Sequence, residues 1–297
     1  MVIDTYTATV AGATSVSGTL KVGAGQYDAN GTFDATSGTI DFNNGNAQLL
    51  VSTPSVTSFG ALDDATGTVV YDGTSAQTID EVETFYSLKV DNSSGVTLNE
   101  AVGVNGTLNM TSGNIVNPSN VLTVGSSAGE GSISHTSGIV TGQLRQYFAN
   151  ATGSKLFPIG SSTIMRDVTV DFTSAPGSNQ YLTASYNAGH PPANDGSDLY
   201  AGLPLTTADG QLIQNYDDDG YWEIIQGSSS LGDSYSASIN AKAYNVSLHC
   251  NDLKGADNVT NMDRSKVRVI KSAGPGHTSW EALTHVSVSG TDADFTL

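Results

Sequence analysis

Hydrophobic and polar residues alternate with a period of two along much of the chain. Runs such as VTVDF at 168–172 and SYSASINAKAY at 234–244 place every second side chain on the same face of an extended strand. We find no long window with apolar residues at i, i+3, i+4 and i+7, the spacing of an amphipathic helix. The pattern therefore predicts an all-β protein.

A short phrase, in which Gly precedes a β-branched or apolar pair, separates many of these strands. NGTFDATSGTID at 30–41 and NGTLNMTSGNIV at 105–116 share seven of twelve residues at an offset of 75. Gly permits a positive φ at a corner, and the Thr-apolar step begins a strand with one side chain out and one in. We interpret the phrase as a repeated β unit that stacks on its neighbours, either in a β-solenoid or in stacked hairpins. Gly106 and Gly113 are then expected to hold positive φ.

The character of the sequence changes near residue 143. Both tryptophans and Cys250 lie beyond this point, among aromatic residues on alternating strands. Strands bounded by turns such as SAPGSN at 174–179 are typical of a two-sheet core. We therefore predict a Gly/Thr-rich, solenoid-like β-repeat segment at 1–143 and a β-sandwich-like domain at 144–297.

Composition narrows the classes of partner. Charged residues form only 13% of the chain and the net charge is -18; residues 1–143 contain thirteen acids against Lys21 and Lys89. A surface of that sign repels phosphate backbones and anionic lipids, so we expect no nucleic-acid partner.

No apolar run approaches 18 residues, and the first ten residues lack the pattern of an export signal, so we expect no membrane insertion and no leader in this chain. The single cysteine, Cys250, rules out a disulfide framework.

Several longer phrases resemble a known group of proteins. They include GTVVYDGTSAQTI at 67–79, KLFPIGSSTIMRDVTVDF at 155–172 and the terminal ADFTL. These phrases are similar to those of large secreted repeat proteins of Bacteroidota that are exported by the type IX secretion system. In those proteins a β-repeat segment precedes a sandwich-like segment with a Phe-Pro-x-Gly loop and a later Arg, matched here by Phe157, Pro158, Gly160 and Arg166. The resemblance implies an extracellular or outer cell-surface location.

Candidate catalytic and metal residues are sparse. The five histidines lack a metal-ligand spacing, and Cys250 has no second cysteine with which to form a zinc site. Glu81 and Glu83 share a strand face, as a glycosidase pair would, but adjacent acids on one face are more often a solvated row. A lyase of acidic polysaccharides needs cationic groups, and residues 1–143 offer two lysines and no arginine. We therefore predict no catalytic residues and no enzyme activity.

Two acidic stretches raise the question of calcium. NYDDDG at 215–220 and ANDGSD at 193–198 set oxygen ligands around a Gly turn, although neither matches a twelve-residue calcium loop. We expect ordinary turns and no cofactor. If calcium binds there, the ligands are Asp198, Asp217 and Asp219.

These features together predict a non-enzymatic extracellular structural or adhesive surface protein, with a self-assembling fibre subunit as one form. The expected partner is another copy or another surface protein, joined through β-edge pairing at the N-terminal segment, which has few charges and no proline. One alternative is a carbohydrate-binding module that stacks a glycan on Tyr200, Trp222 or Trp280. The other alternative is a β-helix enzyme that acts on polysaccharides.

Arg166, in an apolar strand, is expected to be structural.

Overall fold

The computed structural model describes residues 1–177, 180–189, 205–206, 212–213, 220–227, 244–250, 270–272, 280–282, 287–289 and 293–296. The chain divides into two compact units, Met1–Ala149 and Asn150–Leu297. All regular elements in the described ranges are β-strands, which confirms the all-β class. Residue 143, the predicted boundary, falls inside strand Val140–Phe148, so the first unit continues to the end of that strand.

The first unit is built from short strands. They are β1 (Val2–Ile3), β2 (Thr7–Val10), β3 (Thr14–Ser15), β4 (Thr19–Val22), β5 (Gln26–Ala29), β6 (Phe33–Asp34), β7 (Thr39–Phe42), β8 (Gln48–Val51), β9 (Ala61–Leu62), β10 (Thr68–Tyr71), β11 (Gln77–Ile79), β12 (Glu83–Phe85), β13 (Ser87–Asp91), β14 (Val96–Leu98), β15 (Val102–Val104), β16 (Thr107–Ser112), β17 (Ile115–Val124), β18 (Ser132–His135) and β19 (Val140–Phe148).

Strands of the first unit pair in parallel with the equivalent strand of the next turn of the chain. The longest sheet has seven strands in the order β2-β5-β8-β10-β13-β16-β18. Its register partners lie 19 residues apart at Thr7 and Gln26 and 25 apart at Thr107 and Ser132. Parallel pairing at such short separation leaves room for one circuit of the chain between partners. The first unit is therefore a parallel β-solenoid of about seven turns, as predicted, rather than a stack of hairpins.

The other strands form two further faces of the solenoid, which we call the second and third faces, the seven-stranded sheet being the first. The second face begins with β3 and β6 and continues through β11, β14, and the early parts of β17 and β19. We group as the third face two ladders that do not pair with each other: β1, β4, β7 and β9 in the early turns, and β12, β15 and the ends of β17 and β19 in the later turns. Residues 52–60 form no strand, and the isolated bridges Asp34↔Ser58 and Ser55↔Thr78 connect β6 to β11 across that turn.

Apolar side chains of successive turns stack inside the solenoid. Phe33, Phe59 and Phe85 form a continuous stack, with ring centroids 6.0 Å and 5.6 Å apart. All three are buried. Burial of large rings at van der Waals contact accounts for much of the stabilisation that the short strands cannot supply alone.

The repeated Gly phrase occupies different corners of the solenoid. At 30–33 it leads into β6 on the second face, whereas at 105–108 it leads into β16 on the first face. The two copies, 75 residues apart, therefore stand at non-equivalent positions of the turn. The interpretation of the phrase as one structural unit that repeats in register is wrong. The phrase marks any corner because every corner needs a tight turn followed by a strand.

The two corner glycines singled out from the sequence differ. Gly113 has a φ of +82°, as expected. Gly106 is not among the glycines with positive φ, so that expectation is wrong. A Cβ at Gly106 would instead lie 2.9 Å from the carbonyl oxygen of Tyr86, so a close backbone approach explains the glycine.

The second unit is antiparallel. Its strands are β20 (Gly153–Phe157), β21 (Val168–Phe172), β22 (Gln180–Ala188), β23 (Leu205–Thr206), β24 (Leu212–Ile213), β25 (Gly220–Gly227), β26 (Tyr244–Cys250), β27 (Ile270–Ser272), β28 (Trp280–Ala282), β29 (Ser287–Ser289) and β30 (Ala293–Thr296).

These strands form one sheet and several antiparallel pairs. The sheet has the order β20-β21-β26-β30-β29, β22 pairs with β25, and two further pairs are β23-β24 and β27-β28. The hydrophobic side of the sheet includes Phe157, Val168 and Phe172, all buried. Strand pairing alone does not establish two packed sheets, so the β-sandwich stays a prediction.

Candidate functional site

A narrow, mostly apolar cavity of the solenoid has three acidic residues in its lining. It has a volume of about 10 Å³. Its lining includes Tyr71 from β10, Glu83 from β12, and Glu81, which lies between β11 and β12. Ser58 and Phe59 close another side. This is the most unusual chemical feature of the first unit.

Tyr71 enters the cavity from the first face. Its register partners are Val51 and Val90, both buried, so its side chain occupies an inward-facing column of the sheet. The side chain is fully buried and its hydroxyl has no hydrogen-bond partner. Burial raises the pKa of this hydroxyl far above its usual value, and the charges of Glu83, Asp80 and Glu81 raise it further.

Glu83 enters from the third face. It stacks in register on Val102, which stacks in turn on Leu122, so a carboxylate stands where later turns have buried aliphatic side chains. The backbone N–H of Thr84 donates a hydrogen bond of 2.8 Å to Glu83 Oε1. Burial raises the pKa of Glu83; the Thr84 bond opposes this change, whereas the charges of Glu81 and Asp64 add to it.

The chain around Val82 places the two acids on its inner side and the valine on its outer side. Val82, between them, is 72% exposed, whereas Glu81 and Glu83 are half-buried. The two acids are thus less exposed than a fully solvated acidic row would be. Ser58 Oγ donates to Glu81 Oε2 at 3.2 Å, which holds that carboxylate at the cavity.

Asp80 differs from its two acidic neighbours. Its carboxylate accepts hydrogen bonds from Ser55 Oγ at 2.6 Å, Thr78 Oγ1 at 2.7 Å and Asn99 Nδ2 at 2.5 Å. These donors lower its pKa. Asp80 is thus a structural carboxylate whose hydrogen bonds connect three turns. Glu81 and Glu83 accept fewer hydrogen bonds.

A second feature is the pair of edges of the seven-stranded sheet, on which no other strand of the described residues pairs. β2 and β18 are its outermost strands, and both show half-buried inward positions, Ala8 and Val10 in one and Ile133 and His135 in the other. The central strand β10 buries its inward positions, Val69 and Tyr71, fully. Neither edge strand contains Lys, Arg, Asp, Glu or Pro. Residues of these types are what β-proteins use to protect edges.

The basic side chains of residues 1–143 are already paired. Lys21 Nζ lies 3.0 Å from Asp41 Oδ2 across neighbouring strands of the third face, beside an open hollow of about 410 Å³. Lys89 Nζ lies 2.8 Å from Asp91 Oδ2 on the outside of the first face. Because both lysines are neutralised, the outer faces offer no cluster of cations for an acidic polymer.

Arg166 belongs to the packing of the second unit. Its side chain is 2% exposed, and the guanidinium lies over the Tyr186 ring at 5.8 Å from the centroid. Its backbone N–H donates to the Ile159 carbonyl at 2.8 Å, closing the loop that carries Phe157 and Gly160. These contacts support a structural role.

Trp222 is integrated into the same cluster. Its indole N–H donates to the Arg166 carbonyl at 2.8 Å, and its ring meets that of Tyr186 edge-on with centroids 5.5 Å apart. A half-buried ring with a satisfied N–H offers less surface to a sugar than a free platform does. Tyr200 and the side chain of Trp280 lie outside the described residues.

The predicted calcium ligands Asp198, Asp217 and Asp219 also lie outside the described residues. Within the described part of the chain, no group of three or more His, Cys, Asp or Glu side chains is arranged to hold a metal ion. His249 Nδ1 lies 3.8 Å from Asp167 Oδ1 and forms no such group. Among the same residues, no helix has the length and hydrophobicity to cross a bilayer.

Comparisons with known proteins leave the chain without an assigned relative. No family model, no curated protein and no solved structure matches it. The class of protein is therefore stated by its fold alone, a parallel β-solenoid followed by an antiparallel β unit.

Proposed function

We propose that this chain is a non-enzymatic structural or adhesive protein of the cell surface, and that it assembles end to end through the edges of its solenoid. The observation that carries the proposal is that, among the residues the structure describes, no further strand pairs with β2 or β18, the outermost strands at opposite sides of one seven-stranded parallel sheet.

The two edges are complementary. Each is four residues long, TATV in β2 and SISH in β18, and each alternates exposed outward with half-buried inward positions. If β2 of one copy is placed beside β18 of another, the parallel ladder continues with Thr7 opposite Ser132 and Ala8 opposite Ile133. This junction would pair the outward backbone groups of β2 and β18 with each other and cover the inward side chains of these two strands.

Such a contact is heterologous, because it joins two different edges. A heterologous contact that does not close into a ring produces a linear assembly. The expected product is a filament in which solenoids stack end to end. An extracellular or outer-surface location, and export by the type IX system, belong to the same proposal and are supported by the resemblance of the sequence phrases.

Lysine substitution at one edge tests the contact. Ala8→Lys places a charge at an inward position that the open end of the solenoid tolerates in a monomer, but that the junction would bury without a partner. We expect Ala8→Lys to abolish the assemblies that sedimentation velocity and negative-stain microscopy detect in the unsubstituted protein.

Thr9→Lys is the matched control, because Thr9 lies on the same strand and faces solvent. It should leave assembly intact. Ile133→Lys, at the other edge, should act like Ala8→Lys. A monomeric unsubstituted protein would refute the proposal, as would assembly that survives both Ala8→Lys and Ile133→Lys.

A further inference from the structure

The sequence contains three Asn-Gly steps, which begin at Asn30, Asn44 and Asn105, and the structure describes all three. In such a step the backbone nitrogen of the glycine can attack the side-chain carbonyl carbon of the asparagine, because glycine has no side chain to obstruct the approach. Whether the two atoms meet depends on the fold around each step. The three steps differ in this respect.

Asn44 is exposed at the corner between β7 and β8. Its Oδ1 accepts a hydrogen bond of 2.9 Å from the backbone N–H of Asn46. This Asx turn folds the side chain over its own main chain and brings its carbonyl carbon next to the nitrogen of Gly45. The Asn46 N–H also points at the oxygen on which negative charge develops during the attack, as an oxyanion donor does.

Gly45 has room to move towards that carbon. Its N–H donates no hydrogen bond in the structure. A Cβ built at Gly45 would meet one neighbouring atom, Thr66 Oγ1, at 3.8 Å. The nucleophile is therefore unengaged, and the corner has space for the ring that the attack forms. Proximity and orientation of this kind are the main sources of rate in an intramolecular reaction.

Asn30 is held away from its glycine. Its Oδ1 accepts a hydrogen bond of 3.1 Å from Ser52 Oγ, which belongs to the next turn of the solenoid. This contact directs the amide along the solenoid axis rather than over Gly31. A Cβ at Gly31 would overlap the carbonyl oxygen of Gly12, so the backbone of Gly31 is packed against the preceding turn.

At Asn105 the nucleophile itself is engaged. The N–H of Gly106 donates a hydrogen bond of 2.6 Å to the Tyr86 carbonyl. The backbone N–H of Asn105 donates to the Phe85 carbonyl at 2.9 Å, which fixes the main chain on the other side of the step. Attack by the Gly106 nitrogen would break an inter-turn hydrogen bond, and we therefore expect the fold to protect this step.

We propose that Asn44 is a site of spontaneous deamidation in the folded protein. The Gly45 nitrogen bonds to the side-chain carbonyl carbon and loses its proton to solvent base, while the bond to the side-chain nitrogen breaks and that nitrogen takes a proton from solvent and leaves as ammonia. Water then opens the cyclic imide at one of its two carbonyls, which gives aspartate or isoaspartate at position 44.

Either product adds a carboxylate to the corner between β7 and β8. Isoaspartate also adds one methylene to the main chain there. The site is separate from β2 and β18, so the proposal does not depend on end-to-end assembly.

Peptide mapping of the folded full chain, after incubation at mildly alkaline pH, tests the proposal. A protease that cuts before aspartate places the three steps in different peptides, 28–33, 41–62 and 91–166. Aspartate at position 44 creates a new cut, whereas isoaspartate leaves peptide 41–62 intact and heavier. With fragmentation spectra assigning each change, we expect the reaction at Asn44 to be about tenfold faster or more than at Asn30 and Asn105.

Two controls separate the fold from the sequence. In denaturant the three steps should react at similar rates, because the contacts that distinguish them are lost. Gly45→Ala, for which the corner has space, should lose most of the reaction at Asn44. Asn46→Ala is the matched variant; it retains both the nucleophile and the backbone N–H donor and should react as the parent does.

Three results would overturn the proposal. The first is an unreactive Asn44 in the folded protein under conditions in which the denatured chain reacts. The second is a reaction at Asn30 or Asn105 that is as fast as that at Asn44 in the folded protein. The third is an unchanged rate at Asn44 in folded Gly45→Ala.

Discussion

At the scale of single residues, the most informative position is Glu83, an acid in a column of aliphatic side chains. The sequence reveals that Glu81 and Glu83 share a strand face, but it does not reveal which face is inside. Alternation alone favours burying Val82. Packing between turns decides otherwise, and that information lies in the register of Glu83 on Val102 rather than in the local pattern.

Glu83→Gln tests the electrostatic cost of this arrangement. Burial and its acidic neighbours raise the pKa of Glu83 above its ordinary 4.5, so the folded protein gains stability as pH falls from neutrality towards 4.5 and loses it as pH rises. Gln cannot ionise. In chelator-treated protein we expect the variant to melt at a higher temperature than the parent at pH 7 to 8, and this advantage to shrink as pH approaches 4.5.

The charged groups that act on Glu83 are Glu81 and Asp64, and Glu83 in turn acts on Tyr71; all three are retained in both proteins. The difference between the two melting curves therefore isolates Glu83. A pH-independent difference, or a variant that is less stable than the parent at neutral pH, would show that the carboxylate is not destabilised by its surroundings.

Gly113 gives a second test at this scale. Its φ of +82° is unfavourable for other residues, and a Cβ there would overlap the carbonyl oxygen of Asn92. We expect Gly113→Ala to cost more than the roughly 1–3 kcal/mol of backbone strain alone, as measured by chemical denaturation. Gly18→Ala, at a corner with no atom within 4 Å of the added Cβ, should change stability little. Equal effects of the two substitutions would contradict the assignment.

At the scale of elements, the short strands depend on stacking between turns. Phe59 lies between Phe33 and Phe85 in the interior stack. Phe59→Ala leaves a cavity shared by three turns, and we expect it to destabilise the solenoid by about 3–5 kcal/mol. Val82→Ala, on the exposed side of the chain, is the control and should have a small effect. A comparable loss in both variants would argue against the stack as a stabilising core.

Elements also show where sequence reasoning succeeded and failed. Period-two alternation predicted strands because each strand has one buried and one exposed row. The number of residues in one turn of the solenoid could not be read from the glycine corners, because corners on different faces carry the same phrase. The inward apolar positions are a better signal. They occur in QLLV at 48–51, TVVY at 68–71 and SLKV at 87–90, about one turn apart, and they stack on one another in the sheet.

At the scale of the whole molecule, composition and repetition predicted a solenoid-like unit followed by a different β unit. They could not predict the cavity, because Tyr71 and Glu83 meet only when β10 and β12 are placed on different faces. Nor could they identify β18 as an edge. That follows from the order of the seven-stranded sheet, which local sequence does not determine.

End-to-end assembly is tested most directly by cross-linking the two edges between copies. Two variants are needed, Thr7→Cys and Ser132→Cys, each with Cys250→Ser so that the introduced cysteine is the only thiol. Continuation of the parallel sheet places these residues on adjacent strands, at about 4.8 Å, within the Cα separation that a disulfide accepts. We predict that mild oxidation of a mixture gives disulfide-linked dimers of one variant with the other, whereas either variant alone gives few. Absence of the mixed dimer, or predominance of Thr7→Cys homodimers, would contradict pairing of β2 with β18.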